Sequence, residues 1–227
     1  MELNTIILGD CLEEMKKIPS KSIDLLITDP FYVPKTQFAW KNFDDFYWGF
    51  NKQWLLEAKR ILKDDFHLLI SFSSQDMYKF EGLLVECGFD IKSRIVWNYR
   101  NSAKGTSKGT QFAKTYEFIF HCSSGKKLNF SEVWDYKRFD VQTIAMPQSN
   151  FTKDKKEHQY QKPLKLWQQL IEICSFENEN VLDPFAGSGT TGVACKNLKR
   201  NYLLIEISPE YVELAEKRIK NTNDTLF

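Results

Sequence analysis

Short apolar runs alternate along the chain with longer stretches in which apolar residues recur every three or four positions. The short runs predict strands at Thr5–Leu8, Ser22–Thr28, Phe66–Phe72, Asp90–Trp97, Glu117–His121, Val181–Asp183 and Asn201–Ile207. The amphipathic stretches predict helices at Leu12–Ile18, Phe50–Leu62, Gln75–Cys87, Leu164–Phe176, Thr190–Leu198 and Pro209–Lys220. The last of these opens Ser208-Pro209-Glu210, a capping serine followed by proline at the first helical position. Strands that alternate with helices imply an α/β domain with a mostly parallel sheet covered on both faces. In such sheets ligands lie beyond the carboxyl ends of the strands.

Two segments break the alternation. Residues 99–115, YRNSAKGTSKGTQFAKT, hold Gly, Ser, Thr and Lys with almost no apolar periodicity, and so long a loop in a compact domain is usually functional or disordered. Residues 131–160 are also irregular but place Trp134, Tyr136, Phe139, Phe151 and Tyr160 among basic residues. This region changes the meaning of the charge. The whole chain carries only +1, yet Arg94 to Lys162 contains 13 Lys or Arg against 6 Asp or Glu, so the remainder is acidic. A basic block in a near-neutral chain is what a polyanion-binding surface looks like. A solvated lysine-rich loop would look the same on charge alone.

The rest of the composition narrows the class. At 227 residues, 42% hydrophobic and 27% charged, the chain suits one substantial soluble domain. No apolar stretch approaches the roughly 20 residues of a membrane span, and the opening MELNTIILGD lacks a secretory layout. Five scattered cysteines without a C-x-x-C pair favour reduced thiols in a cytoplasmic protein. The three histidines, His67, His121 and His158, are too dispersed in sequence to suggest a metal cluster, and no metal is expected.

Gly187-Ser188-Gly189-Thr190-Thr191-Gly192 satisfies G-x-G-x-x-G between a predicted strand and a predicted helix. Glycines allow close backbone approach, and a helix start offers N–H groups. Glu206 ends the next strand, where an acid can accept hydrogen bonds from ribose hydroxyls. A plain strand-to-helix turn needs no ligand, but with Glu206 in step the pattern indicates an adenosine-containing cofactor. On this pattern alone, NAD and S-adenosylmethionine both remain open.

The tripeptide Asp-Pro-Phe ends two predicted strands, as Asp29-Pro30-Phe31 in LLITDPFYVP and as Asp183-Pro184-Phe185 in NVLDPFAGSGTT. Either Asp-Pro read alone is an ordinary turn. Together with Tyr32, the first one also suits a specific chemical problem. The amino group of an adenine or cytosine ring is a poor nucleophile because its lone pair is delocalised. The Asp29 carboxylate and the Pro30 carbonyl are adjacent acceptors that could draw that group toward tetrahedral geometry. Tyr32 could stack on a base swung out of a duplex. The attacked atom would be the methyl carbon of a sulfonium, where in-line placement and charge orientation supply most of the rate.

With both motifs in place, the chain resembles a β-class amino-directed DNA methyltransferase, in which a D-P-P-Y catalytic motif precedes an F-x-G-x-G cofactor motif. The resemblance runs the whole length. GDCLEEMKKIPSKSIDLLITDPFY matches the family's opening, HQYQKPLKLWQQLI its segment before the cofactor turn, and DPFAGSGTT that turn. It implies a Rossmann-like methyltransferase sheet of seven strands in circularly permuted motif order. It further implies S-adenosylmethionine as cofactor, double-stranded DNA as partner, and a target-recognition insert at about 99–158 within a single domain spanning 1–227. Asp29, Pro30 and Tyr32 match the catalytic motif, and Asp29 also counts among the cofactor-binding positions. Phe185, Gly187 and Gly189 match the cofactor motif, with Ala186, Ser188 and Thr190 beside the methionine part. Glu206 matches the ribose-binding acid, and Asp10 a position toward the adenine end. Gln161, Lys162 and Pro163 match the segment that helps seat the cofactor. Phe31 departs from the pattern, standing where the family has a second proline; this loosens the loop and adds an N–H.

The expected activity is therefore methyl transfer to the 6-amino group of adenine, in a restriction–modification or stand-alone system. Asp at the head of the motif favours adenine over cytosine. Transfer to the cytosine 4-amino group, an RNA substrate, a catalytically silent DNA-binding module and an NAD-dependent oxidoreductase stay as rivals. The last leaves Asp29–Tyr32 unexplained. Lys104, Lys108 and Lys114 are candidate phosphate contacts, each of the kind that weakens with salt. The crowd of Trp40, Phe43, Phe46, Tyr47, Trp48 and Phe50 reads as a hydrophobic cover or as a lid over the base pocket. A homodimer is expected by the resemblance alone.

Overall fold

The structure is a computed structural model that describes residues 1–30, 43–74, 77–99, 114–129, 139–147 and 161–222. Tyr32, Lys104 and Lys108 lie outside the described residues, as do Phe31 and Trp40. Among the described residues, eight strands form one sheet: β1 (Thr5–Leu8), β2 (Ile23–Thr28), β3 (Leu62–Phe72), β4 (Ile91–Asn98), β5 (Tyr116–Ser123), β6 (Val141–Thr143), β7 (Asn180–Asp183) and β8 (Asn201–Glu206). Their order is β1-β8-β7-β2-β3-β5-β4-β6. All neighbours are parallel except β5, which runs antiparallel to both β3 and β4.

The expectation of seven strands is thus corrected by one. β6 lies in the stretch that read as irregular, and its three residues are too few for a periodic signal. It pairs with β4 through the register Val96↔Val141 to Asn98↔Thr143. β5 pairs with a strand on each side, so that part of the stretch at about 99–158 is built into the sheet.

Among the described residues, six helices cover the sheet: α1 (Cys11–Lys16), α2 (Phe43–Ile61), α3 (Met77–Glu86), α4 (Leu164–Cys174), α5 (Thr190–Asn197) and α6 (Pro209–Lys220). α2 starts seven residues before its predicted Phe50, so the aromatic crowd at 43–50 forms its first turns. It passes at Ile61 directly into β3, whose first residue Leu62 pairs with Ile23.

Strand alternation sorts the core into two layers. In β2, Leu26 faces the side of α1, α2 and α3, packing with Met15, Trp54 and Phe80. Leu25 and Ile27 face the opposite side, with Leu166, Trp167 and Ala194 of α4 and α5. The period of two places successive side chains on opposite faces, and burial on both faces is why β2 is apolar almost throughout. Fully burying one such Leu or Ile contributes about 1.5–3 kcal/mol. The carboxyl ends of β2, β7 and β8 lie side by side, and the two Asp-Pro segments and Glu206 sit there.

Candidate active site

Asp29 and Pro30 follow β2, Asp183 ends β7, and Glu206 ends β8. They converge on one cavity of about 660 Å³, within the range of small-molecule sites. Asp10, Asp29, Pro30 and Lys162 line it. So do Phe185, Ala186, Gly187, Ser188, Thr190 and Glu206. The two halves of the motif pattern therefore border one continuous space.

The glycine turn is built by sterics. Gly187 has φ +50 and Gly189 φ +76, in the left-handed region that favours glycine. Gly189 does not border the cavity; a Cβ there would stand 2.6 Å from that of Ala215 in α6. A Cβ on Gly192 would stand 2.5 Å from Ile219 Cδ1 and 2.9 Å from Leu204 Cδ1. Both glycines let α5 and its turn pack directly against α6 and β8. Arg218 of α6 clamps the turn by donating to the Ser188 carbonyl at 2.5 Å and to its hydroxyl at 2.7 Å.

Four amides of the turn donate inside the protein. Phe185 N–H goes to Asp183 Oδ1 at 3.1 Å, and Ala186 N–H to the Ile205 carbonyl at 3.0 Å. Gly187 N–H goes to Glu206 Oε2 at 2.8 Å, and Gly189 N–H to the Ala186 carbonyl at 2.9 Å. A pyrophosphate cradle presents such N–H groups to its ligand. Here two of them close the turn on itself and two tie it to β8, so these four are engaged within the protein.

Asp183 of the second Asp-Pro-Phe has a bracing role as well as a place at the cavity. Asp183 accepts from the Thr28 hydroxyl at 2.7 Å on Oδ1 and from the Thr191 hydroxyl on Oδ2, joining β2, β7 and α5. Trp167 of α4 donates its indole N–H to the same Thr191 hydroxyl at 3.0 Å. Burial pushes the Asp183 carboxyl up to about 6, against the three donors that favour its charge. Phe185 extends the link to α2, with edge-on contacts to Phe50 at 6.1 Å and Trp54 at 5.5 Å. Phe46 and Phe50 border the cavity, so this part of the aromatic crowd is a wall of the site.

The first Asp-Pro carries a charge cluster instead. Lys162 Nζ lies 3.0 Å from Asp29 Oδ2 and 2.7 Å from Glu117 Oε2 of β5. Its ammonium stands 5.5 Å from the centre of the Trp97 ring, a cation–π distance. Burial by itself would lower the Lys162 ammonium, but Asp29 and Glu117 hold it above the usual lysine range. Burial would raise the Glu117 carboxyl, and Lys162, with Lys114 behind it, keeps it below the usual carboxylate range. Lys114 stands 3.9 Å from Glu117, with its Nζ 3.4 Å from Ser73 Oγ.

Asp10 has two assignments. Its Oδ1 accepts from Leu12 N–H at 2.9 Å and Glu13 N–H at 3.3 Å, capping α1, while the residue also borders the cavity. Glu206 is 9% exposed, and its Oε1 accepts from Ser208 N–H at 2.9 Å. Glu117, Thr28 and Arg218 escape the motif reading, and Thr191 and Trp167 stand inside the motif segments without being singled out there. Only Glu117 leaves a local trace, a carboxylate inside the apolar run YEFIFHC.

Comparison with known proteins agrees with this geometry. A family model described as DNA methylase, N6_N4_Mtase, matches residues 23–217. The chain belongs to this DNA methylase family. It is 35% identical over 257 residues to the Type II methyltransferase M.HinfI of Haemophilus influenzae, covering 98% of this chain and 71% of that protein. It is 32% identical over 247 residues to the DNA adenine methyltransferase YhdJ of Escherichia coli K12, covering 96% and 83%. Among solved structures, the M1.HpyAVI–SAM complex superposes with a TM-score of 0.74 at 28% identity, covering 94% of this chain and 98% of that one.

Proposed function

We propose that this methylase transfers a methyl group from S-adenosylmethionine to the exocyclic 6-amino group of adenine in double-stranded DNA. The observation that carries the reading is the shared cavity, which brings Asp29 and Pro30 to the same space as the glycine turn and Glu206. A similar chain is named a DNA adenine methyltransferase, and a similar structure is a complex with SAM.

The residues present suit that cofactor. The cavity has the size for it, and Glu206 is a buried acid at a strand end, where ribose hydroxyls are accepted. Phe185, Ala186, Gly187, Ser188 and Thr190 border the methionine side, and Gly189 shapes the turn behind them. Asp10 stands toward the adenine end. When bound, the cofactor supplies an electrophilic methyl group on sulfur. The protein's part is acceptance and placement. Asp29 and the Pro30 carbonyl accept from the target amino group, and Tyr32 stacks on the flipped base. Lys162 orients the Asp29 carboxylate by pairing with Oδ2. Phe46 and Phe50 exclude water from one wall.

Lys104, Lys108 and Lys114 are assigned to DNA phosphates. Lys114 precedes β5, which starts beside the carboxyl end of β3, on the rim that holds Asp29. The reading also includes a cytoplasmic setting, supported by five unpaired cysteines, and a homodimer, tested by sedimentation.

The deciding experiment incubates the protein with labelled S-adenosylmethionine and unmethylated genomic DNA, then identifies the modified nucleoside. N6-methyladenine at discrete positions supports the proposal. N4-methylcytosine would transfer it to the other amino group that the family's N6_N4 name spans, and absence of label in DNA but not RNA would overturn the substrate.

A further inference from the structure

Two of the three histidines take no part in the reading above, and folding brings them together. In β3, Leu68, Ile70 and Phe72 face one core layer while Leu69 faces the layer of α4. His67 shares the parity of Leu69. In β5, Phe120 and Cys122 face the first layer and Ile119 the second, so His121 also points toward α4. Cys174, the last residue of α4, completes the group. One ring nitrogen from each histidine and Cys174 Sγ lie within 4.8 Å of one another, all three residues buried. His67 Nδ1 and His121 Nε2 face each other at 2.9 Å.

We propose that His67, His121 and Cys174 form a zinc site that ties α4 to the antiparallel part of the sheet, with water as the remaining ligand. Imidazole nitrogens and a thiolate are zinc's habitual donors. Metal binding releases the Cys174 thiol proton to solvent as the Zn–S bond forms. The proton now shared between the rings moves to a nitrogen facing away from the metal. In a tetrahedral zinc site two nitrogens stand about 3.3 Å apart and nitrogen and sulfur about 3.6 Å. The rings must open by a few tenths of an ångström and the sulfur must approach, which side-chain rotation can supply.

His121 and Cys174 also border a second cavity of about 80 Å³ with Gln142, Asp140 and the exposed Phe139. It provides room for the water and a way in for the ion. His67 pairs with Leu25, whereas the catalytic pocket begins past Thr28. The site is thus at the other end of the strands, and its effect is on stability.

The test uses the full chain, stripped with a chelator and titrated with zinc against a chromophoric competitor, and separately with cobalt(II). The expected result is one zinc per chain, a thiolate-to-cobalt charge-transfer band, and a melting temperature raised by zinc. Cys174→Ser should abolish the band, and His121→Gln should weaken zinc at least tenfold, with folding checked by circular dichroism. Absence of stoichiometric binding, a cobalt spectrum without the sulfur band, or wild-type affinity in folded Cys174→Ser would overturn the site. The wild-type cobalt spectrum decides even if a variant fails to fold. No arm depends on methyl transfer, so failure here leaves the catalytic reading standing.

Discussion

Lys162 holds Asp29 by an ion pair of 3.0 Å although the two come from opposite thirds of the chain. The pair joins the segment before α4 to the end of β2 and fixes the carboxylate at the cavity wall. Asp29→Ala is expected to reduce methyl transfer by at least ~10²-fold, the scale of losing one positioned polar group. Cofactor affinity and melting temperature should stay close to wild type. Near-normal single-turnover rates would remove Asp29 from the mechanism.

Glu117 acts on the same carboxylate from behind. Replacing it with Gln removes the partner 2.7 Å from Lys162, so the ammonium draws more strongly on Asp29 and shifts it. The expected result is transfer slowed by about 10–100-fold, the cost of slight misplacement of a reacting group. Cofactor affinity should remain within about twofold. A loss confined to affinity would show that Glu117 serves the cofactor and not Asp29.

Glu206→Ala is expected to weaken S-adenosylmethionine by roughly 1–3 kcal/mol, the range for hydrogen bonds to a charged group. Because Glu206 also accepts from Gly187 and Ser208, Glu206→Gln is the companion variant, retaining an acceptor for the turn. Calorimetry giving unchanged affinity in both would reject the ribose-binding role.

The buried Asp183 makes a pH signature with an unusual sign. Its carboxyl titrates near 6 when folded, above the ordinary aspartate value of 3.8. Between about pH 4 and 6 the native chain therefore holds more protons than the unfolded one, and this residue's contribution to stability falls as pH rises. At about 1.4 kcal/mol per unit, the change is up to about 3 kcal/mol. Urea unfolding of wild type and Asp183→Asn at pH 4 and pH 7 should show the variant gaining on wild type at the higher pH. A difference that is flat across that range would contradict it.

Gly189→Ala is expected to destabilise the protein by about 1–3 kcal/mol, because it overpacks against Ala215 and strains a positive φ. Thermal unfolding measures it. A melting temperature equal to wild type would show that the turn can shift without cost.

Much of the frame was legible along the chain, because strand and helix periodicity and motif residues are local properties. All seven predicted strands and all six helices exist, and Asp29, Glu206 and the glycine turn stand where strand ends must place them. The errors have local causes as well. β6 is too short to alternate, and the start of α2 is aromatic on so many sides that no single stripe stands out.

Other features depend on which strands become neighbours. Two identical Asp-Pro-Phe segments read alike, yet folding surrounds Asp183 with hydroxyl and amide donors and gives Asp29 a lysine. Glu117 reaches the site only because β5 is inserted antiparallel beside β3. His67 and His121, far apart in sequence, touch for the same reason. The sequence by itself determined the elements, their alternation and the motifs at their ends, since these follow from side-chain spacing and backbone preference within a few residues. Only the tertiary structure decided which carboxylate is held by hydroxyl and amide donors and which is paired with a lysine, because burial and charge partners come from chain segments that no local pattern connects.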